Sequence, residues 1–299
     1  MKKEIKLVKK IKCLLRKLGY PRWLHHYGPK TYEFSDHLLA LMVRAFCKLA
    51  YRRVKQFLDL IGIKCPTKSS LQRTAKKLDS AFWQKVLKAT SGDAYLVAID
   101  STGLSRTNPS YYYLRRIDGK MPKIPIKLSL AFDTKKKKFC AAKIRVLPAH
   151  DTKDAKFLLE TSNPKIAVAD KGYNSEEFYK FADNKGILLM IPKKKNAKRG
   201  YYRKKMQKRF RLRTYYRREL VESGNSSIKR KFGANVSSKT VRTIRTEVYG
   251  KLACHNIFGR ILGLLGQSLQ KGNLYKQAAY PKLILFYFWR LKKWKIQDP

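Results

Sequence analysis

Two aspartates stand directly after short apolar runs, which is an unusual place for a charged side chain. Asp100 follows the run 95–99, and Asp170 follows the run 165–169. Short runs rich in β-branched residues predict buried strands. A carboxylate at the tip of such a strand is costly to remove from water unless it has a partner. The pattern therefore favours two acids retained for chemistry, with a divalent metal ion as their partner.

The charge of the chain indicates what these acids act on. The 299 residues include 69 Lys+Arg and only 20 Asp+Glu, which gives a formal net charge of +49. Charge on this scale opposes compaction unless a polyanion neutralises it, and nucleic-acid phosphates do so through counterion release. A solvated basic surface is the alternative interpretation. The hydrophobic fraction of 44% is enough for a core, so we expect a folded protein.

The cysteines and the apolar stretches bear on the compartment. The five cysteines form no C-x-x-C pair and are odd in number, which argues against a disulfide framework or a zinc ribbon. Free thiols fit a reducing cytosol. The apolar stretch 283–289 is far too short to span a bilayer. We therefore expect a cytoplasmic, nucleoid-associated protein with no membrane partner.

The acids must be positioned by a fold, and the sequence pattern from residue 95 onward predicts its strands and helices. Strands are expected at 95–99, 126–132, 139–146, 166–169 and 187–191, with helices beginning near Asp151 and Ser175. Residues 101–124 are expected to form a polar insertion containing Tyr111, Tyr112 and Tyr113. The order β-β-β-α-β-α-β predicts an α/β domain, a mixed sheet flanked by helices. The two Asp-tipped strands would have to be parallel neighbours for the acids to meet.

Residues 1–92 predict an all-helical region. Apolar spacing indicates one helix capped by Asp36 over 38–49 and a second that continues through 54–61 and stops at Gly62. Thr67 or Ser69 can cap a third helix. That third helix carries the basic residues Arg73, Lys76 and Lys77. A helix, a turn and a basic helix resemble a helix-turn-helix, which places its second helix in the major groove. An ordinary helical hairpin is the alternative, so a DNA-binding role for this region is a hypothesis.

A strongly basic segment follows the fifth predicted strand. Residues 193–218 contain 14 Lys+Arg in 26 positions and no Asp or Glu, with five aromatic residues interleaved. Basic side chains bind phosphates and aromatic rings stack on unpaired bases, so we interpret 193–214 as a basic insertion. Its first three residues, Lys193, Lys194 and Lys195, are candidate DNA contacts. A solvated basic loop is the alternative.

The third candidate acid, Glu222, lies just beyond this segment. In a helical projection Tyr215, Arg218, Glu222 and Lys229 share one face. A helix face of this kind suits a phosphodiester site, with Glu222 as a metal ligand and the cations holding DNA. A solvated charge ladder is the alternative. The residues 224–227 are poor helix formers, and a break there would remove Lys229 from the face.

Taken together, the three acids resemble the DDE transposases of insertion sequences, in particular the IS4/IS5-type group. The matching motifs are Ala-Ile-Asp-Ser-Thr at 98–102, Ala-His-Asp at 149–151, Ala-Asp-Lys-Gly-Tyr-Asn-Ser at 169–175, the Y-R-E-K spacing at 215–229 and His-Asn-Ile at 255–257. The resemblance covers roughly residues 95–260 and implies an RNase H-like catalytic fold. Its order of acids makes Asp100, Asp170 and Glu222 the catalytic residues and the metal ligands.

The resemblance also implies the reaction and its partners. Two Mg²⁺ (or Mn²⁺) ions would lie between the carboxylates and support water attack at the element's ends. The freed 3′-OH would then attack target DNA. Double-stranded DNA, as terminal inverted repeats and as target, is the implied partner, and a homodimer or larger synaptic complex is expected. The chain would then be divided into a helical DNA-binding region at 1–92, the DDE catalytic domain at 93–268, and a basic C-terminal tail or helix at 269–299.

Other functions and other acids remain open at this level. A nuclease of the RNase H type without strand transfer, or a non-catalytic DNA-binding derivative of a decayed element, would share most of these features. Glu247 is a reserve candidate for the third acid. Asp151 and Asp154 are expected to act as helix caps or dipole partners.

Overall fold

The computed structural model describes residues 3–27, 29–106, 126–147, 149–193 and 199–270. The expectations for Tyr111–Tyr113, Lys194, Lys195 and the tail beyond 270 therefore lie outside the described residues. The helices that are described are α1 (Lys3–Lys17), α2 (Phe34–Cys47), α3 (Tyr51–Leu60), α4 (Lys68–Lys77), α5 (Ser80–Ser91), α6 (Thr152–Ser162), α7 (Glu176–Asn184), α8 (Tyr201–Gln207), α9 (Leu212–Tyr215), α10 (Glu219–Phe232) and α11 (Val241–Gln270).

A mixed sheet forms the centre of the molecule. Its strands are β1 (Leu96–Arg106), β2 (Ile126–Asp133), β3 (Lys138–Arg145), β4 (Ile166–Ala169), β5 (Leu188–Met190) and β6 (Asn235–Val236). The order is β3-β2-β1-β4-β5, and β6 pairs with the far end of β1. The pairs of β2 are antiparallel, whereas β4 runs parallel to both β1 and β5. The expected mixed α/β architecture is confirmed.

The apolar run before Asp100 is continuous because β1 is covered on both faces. Ala98 packs into a core shared with α2, α5 and α11, whereas Val97 and Ile99 face a second core under α6 and α7. Successive side chains of a strand point to opposite faces, so a strand between two helical layers needs apolar residues at every position.

The N-terminal helices form part of the layer on one face of the sheet. Most of α2 is buried between Phe34 and Ala45, and α2, α5, β3 and α11 contribute to one continuous core. The expected helices of this region are present, and Thr67 caps α4 by accepting a hydrogen bond from the Ser70 amide. Arg73, Lys76 and Lys77 are exposed on α4. The division of the chain at residue 92 stays a prediction.

One sequence-based boundary was wrong, and the alternative interpretation of the basic segment as a loop holds only in part. Strand β1 continues to Arg106 rather than giving way to an insertion after residue 100. Its polar second half is held by pairing, from Leu104 against Ile126 of β2 to Ser105 against Asn235 of β6. The segment after residue 193 is not wholly a loop, since α8 and α9 form within it. Within the described ranges, no helix combines the length and apolar character needed to cross a bilayer.

Candidate active site

Register places the first two acids side by side. Ile99 of β1 lies opposite Ala169 of β4, so Asp100, within β1, and Asp170, directly after β4, lie at the same level of the sheet. Asp100 is half-buried, whereas Asp170 is exposed at the start of a 3₁₀ turn, Lys171–Tyr173. The expected adjacency of the two Asp-tipped strands is confirmed.

The surroundings of Asp100 concentrate negative charge. Burial raises the pKa of the Asp100 carboxyl, and the nearby carboxylates of Glu222 and Asp151 raise it further. The backbone N–H of Ser101 and the guanidinium of Arg218 act in the opposite direction. Because burial and like charges disfavour the ionised form, a cation placed among these oxygens would be stabilised.

Glu222 lies on α10, and Gly224 does not interrupt this helix. The helix is continuous from Glu219 to Phe232, so Glu222 and Lys229 belong to one helix. A Cβ added at Gly224 would lie 3.0 Å from Cε2 of Phe132 on β2. Glycine at this position therefore allows α10 to approach the sheet closely, which brings the third acid towards the first.

The prediction of one helix face from Tyr215 to Lys229 was wrong in its first part. Tyr215 belongs to α9, and Tyr216–Arg218 form a 3₁₀ turn before α10 begins. A 3₁₀ turn has three residues per turn, so it changes the direction of the side chains that precede α10. Arg218 nevertheless reaches Glu222, with Nη2 at 2.9 Å from Oε1.

Arg218 lies among all three acids. Burial acts to lower the pKa of its guanidinium, but Tyr215, Glu222 and Asp170 outweigh this and raise it. The same guanidinium lowers the pKa of Asp100. Arg218 therefore supplies positive charge that acts on all three carboxylates.

Asn225 is a site residue that the sequence interpretation missed. Its Nδ2 donates a hydrogen bond of 2.9 Å to Oδ2 of Asp100, and the residue is 7% exposed. A signal for it was present, since Asn225 stands three residues after Glu222 and neighbouring turns of a helix share a face.

The motif around Asp170 is connected to β1 and β2 by a chain of hydrogen bonds. The Tyr173 hydroxyl lies 3.0 Å from the Ser101 hydroxyl, which donates to Ser129, and Ser129 donates to Asp154. Ser175 caps α7 by accepting a hydrogen bond from the Phe178 amide. A Cβ at Gly172 would meet no atom within 4 Å, and nothing in the structure explains the glycine there.

Asp151 and Asp154 stand at the N-cap and in the first turn of α6, where they were expected as helix caps or dipole partners, and each also has an ionic partner. Asp151 precedes α6 without accepting a capping hydrogen bond and pairs with Lys127 at 2.5 Å. Asp154 is fully buried and binds Arg145, with 2.8 Å from Nε to Oδ1. The pairs form because β2 and β3 each present a cation beside the first turn of α6.

Glu247 belongs to a separate buried cluster. Its carboxylate binds Arg44 of α2 at 3.1 Å and accepts hydrogen bonds from the amides of Ser237 and Ser238. None of these described partners lies on β1 or β4, so Glu247 is better explained as a structural residue than as the reserve third acid.

Asn256 of the C-terminal motif protects the edge of the sheet. Strand β3 is an edge strand, and Asn256 accepts from the Phe139 amide at 2.9 Å and donates to the Phe139 carbonyl at 2.8 Å. A side-chain amide thus replaces a neighbouring strand, and satisfying an exposed edge in this way opposes pairing with other chains.

The donor set suits a hard cation, although the side chains are not gathered around one. In the described part of the chain, no three His, Cys, Asp or Glu residues lie close enough to hold a metal ion. Carboxylate oxygens are the ligands that Mg²⁺ prefers. The pKa of Asp100 is raised by burial and by neighbouring carboxylates, and Glu222 is paired with Arg218, so both acids are in settings that favour a nearby cation.

Comparison with known proteins identifies the family. The family described as "Transposase DDE domain" matches residues 91–257, more than half of the chain. The piggyBac transposase in its synaptic complex with hairpin DNA is 11% identical, with a TM-score of 0.46 over 98% of this chain and 80% of that one. The Drosophila P element transposase in its strand transfer complex is 12% identical, with a TM-score of 0.33 over 91% and 82%. On the family match, the chain belongs to the DDE transposases, enzymes that cleave DNA and transfer its strands.

Proposed function

We propose that the chain is an insertion-sequence transposase of the IS4/IS5-type group, and that Asp100, Asp170 and Glu222 bind two Mg²⁺ (or Mn²⁺) ions. The observation that carries this proposal is the position of Asp100 and Asp170 at the same level of two neighbouring parallel strands, Asp100 within β1 and Asp170 directly after β4. The negative charge of Glu222 also acts on Asp100 and raises its pKa. The order of the acids along the chain and the motif spacing support the assignment to this group.

The three acids are held in the fold in different ways. Asp100 and Asp170 are attached to the central strands, whose positions are set by pairing on both sides. Glu222 is 56% exposed on α10 and is held by Arg218. When bound, the ions supply stabilisation of the attacking and leaving oxygens of an in-line displacement. Glu222 completes the site by leaving Arg218, whose guanidinium then becomes available for a DNA phosphate.

Double-stranded DNA is the proposed partner, both as inverted-repeat ends and as target. Arg218 is paired with Glu222, Tyr215 raises the pKa of Arg218, and Lys229 lies on the same helix as Glu222. Lys193 lies three residues after β5. Lys194 and Lys195, which lie outside the described residues, remain candidates on their sequence alone. Because two element ends are processed together, we also propose a homodimer or a larger synaptic complex. The N-terminal helical region is proposed to bind DNA through α4.

The proposal is tested with purified protein, labelled DNA carrying the inverted repeats that flank the reading frame, and a supercoiled target. We expect end cleavage and joined products with Mg²⁺ or Mn²⁺, and neither with a chelator. Product formation that persists after complete removal of divalent metal would contradict the metal assignment. Cleavage without any joined product would contradict the proposed use of the same site for strand transfer.

The DNA-binding role of α4 gives a separate prediction. Replacing Arg73, Lys76 and Lys77 by glutamine should lower DNA affinity and reduce the slope of log K against log salt by about 3, roughly one per lost phosphate contact. The residues are exposed, so the fold should persist. Fluorescence anisotropy across a salt series measures the slope.

A matched triple variant separates a local contact from a general loss of charge. Lys165, Lys180 and Lys185 are exposed, and Lys165 precedes β4, at the end of that strand opposite Asp170. Their replacement by glutamine removes the same charge and should change the slope little. Equal slopes for the two triple variants would exclude α4 as a specific DNA contact.

A further inference from the structure

Asn225 makes an unusual use of its amide. Nδ2 donates to Oδ2 of Asp100 at 2.9 Å, and among the described residues Oδ1 is buried without a hydrogen-bond donor. A buried polar atom without a partner costs about 1–3 kcal/mol. A side chain whose only described hydrogen bond is to Asp100 is therefore expensive for folding, and that cost points to a role at the site.

The position of Asn225 in the fold is equally specific. It follows Gly224, and both residues are buried where α10 meets the sheet. Asparagine and glycine are poor helix formers, so neither is favoured at this point by helix stability. Gly224 permits the close approach of α10 to Phe132, and Asn225 uses that approach to reach Asp100 on β1.

We propose that Asn225 is a positioning residue for Asp100. The hydrogen bond holds one carboxylate oxygen of Asp100 and thereby orients the other oxygen towards Asp170. Because the donor stands one helical turn beyond Glu222, the same bond ties the third acid's helix to the first acid's strand. This inference rests on the proposed metal-binding function of the three acids.

The chemistry of the side chain fits this task. A neutral amide donor orients a carboxylate without cancelling its charge, whereas an arginine or lysine would compete with the metal for it. Residues that hold metal ligands in this way typically contribute a factor of about 10–100 in metal affinity or activity. Arg218 is charged and bonded to Glu222, so it does not perform the same function.

The test replaces Asn225 by leucine, which keeps the branching of the side chain at Cγ but is larger and removes the donor, and separately by alanine. We expect the Mg²⁺ concentration for half-maximal cleavage to rise at least about tenfold in both variants. The rise in melting temperature on adding Mg²⁺ should shrink in parallel, while DNA binding without metal is unchanged. Ser226→Ala, at the exposed neighbouring position on α10, is the matched control and should leave all three quantities unchanged.

The outcomes separate this inference from the function on which it rests. A purely structural role would lower the melting temperature without metal but leave the Mg²⁺ requirement of the folded fraction unchanged, and that result would overturn the inference. It would do so even if Asp100→Asn abolishes cleavage, which upholds the proposed acids. Full activity of Asp100→Asn would instead reject the proposed site itself. If leucine is not accommodated, alanine gives the same expected shift in the Mg²⁺ requirement.

Discussion

Asp100→Asn, Asp170→Asn and Glu222→Gln are each expected to abolish DNA cleavage while leaving DNA binding intact. Each change keeps the size of the side chain and removes one ligand charge. Metal stabilisation of the transition state is worth several kcal/mol, so a loss of about 4 kcal/mol corresponds to about a 10³-fold lower rate. Binding survives because one carboxylate is a small part of the field of a chain with net charge +49.

Cleavage of labelled ends and electrophoretic mobility shift measure the two properties on the same preparations. Glu219→Gln is the matched control for Glu222, since Glu219 lies one turn earlier on α10 and has no described ion pair. It should cleave normally. Loss of DNA binding in all three acid variants would contradict a purely catalytic role, and normal cleavage by any one of them would remove that residue from the site.

Glu247→Ala is expected to lower the free energy of unfolding by about 3–5 kcal/mol, the second large effect. The variant leaves the guanidinium of Arg44 buried without its carboxylate, and breaking a buried ion pair by removing one partner has a cost of this size. The Arg44 and Glu247 side chains are only 7% and 6% exposed. Urea unfolding followed by circular dichroism measures the change.

An exposed ion pair provides the comparison. Lys55 and Asp59 on α3 lie 2.8 Å apart but are 37% and 48% exposed, and Asp59→Ala should cost less than about 0.5 kcal/mol. Similar losses for the two variants would show that burial does not determine the value of the Arg44–Glu247 pair.

The pH dependence of the Glu247 contribution follows from its pKa. Burial raises the pKa, but Arg44 and the hydrogen bonds from Ser238 and Ser237 outweigh it, so the pKa in the folded protein is lowered from 4.5. The folded state therefore holds fewer protons than the unfolded state in this range. The contribution is present above pH 4.5 and is lost as pH falls through the lowered pKa, so the difference between wild type and Glu247→Ala should narrow there.

Local patterns were sufficient to predict the central strands and the adjacency of Asp100 and Asp170. The run 95–99 and the run 165–169 each predicted a buried strand with an aspartate at its tip, because two-sided burial requires apolar residues at every position. Their adjacency needed only the tendency of parallel strands with a helical crossover to lie side by side. The register of Ile99 against Ala169 agrees with this expectation.

Tertiary contacts decided what local patterns leave open. Glycine is a poor helix former in isolation, yet α10 continues through Gly224, where a Cβ would make a tight contact with Phe132. Strand β1 extends to Arg106 because β2 and β6 pair with its polar half. The hydrogen bond from Asn225 to Asp100 joins residues 125 positions apart. Hydrophobic spacing records which residues are buried, whereas such long-range pairings depend on the distances between elements after they have packed.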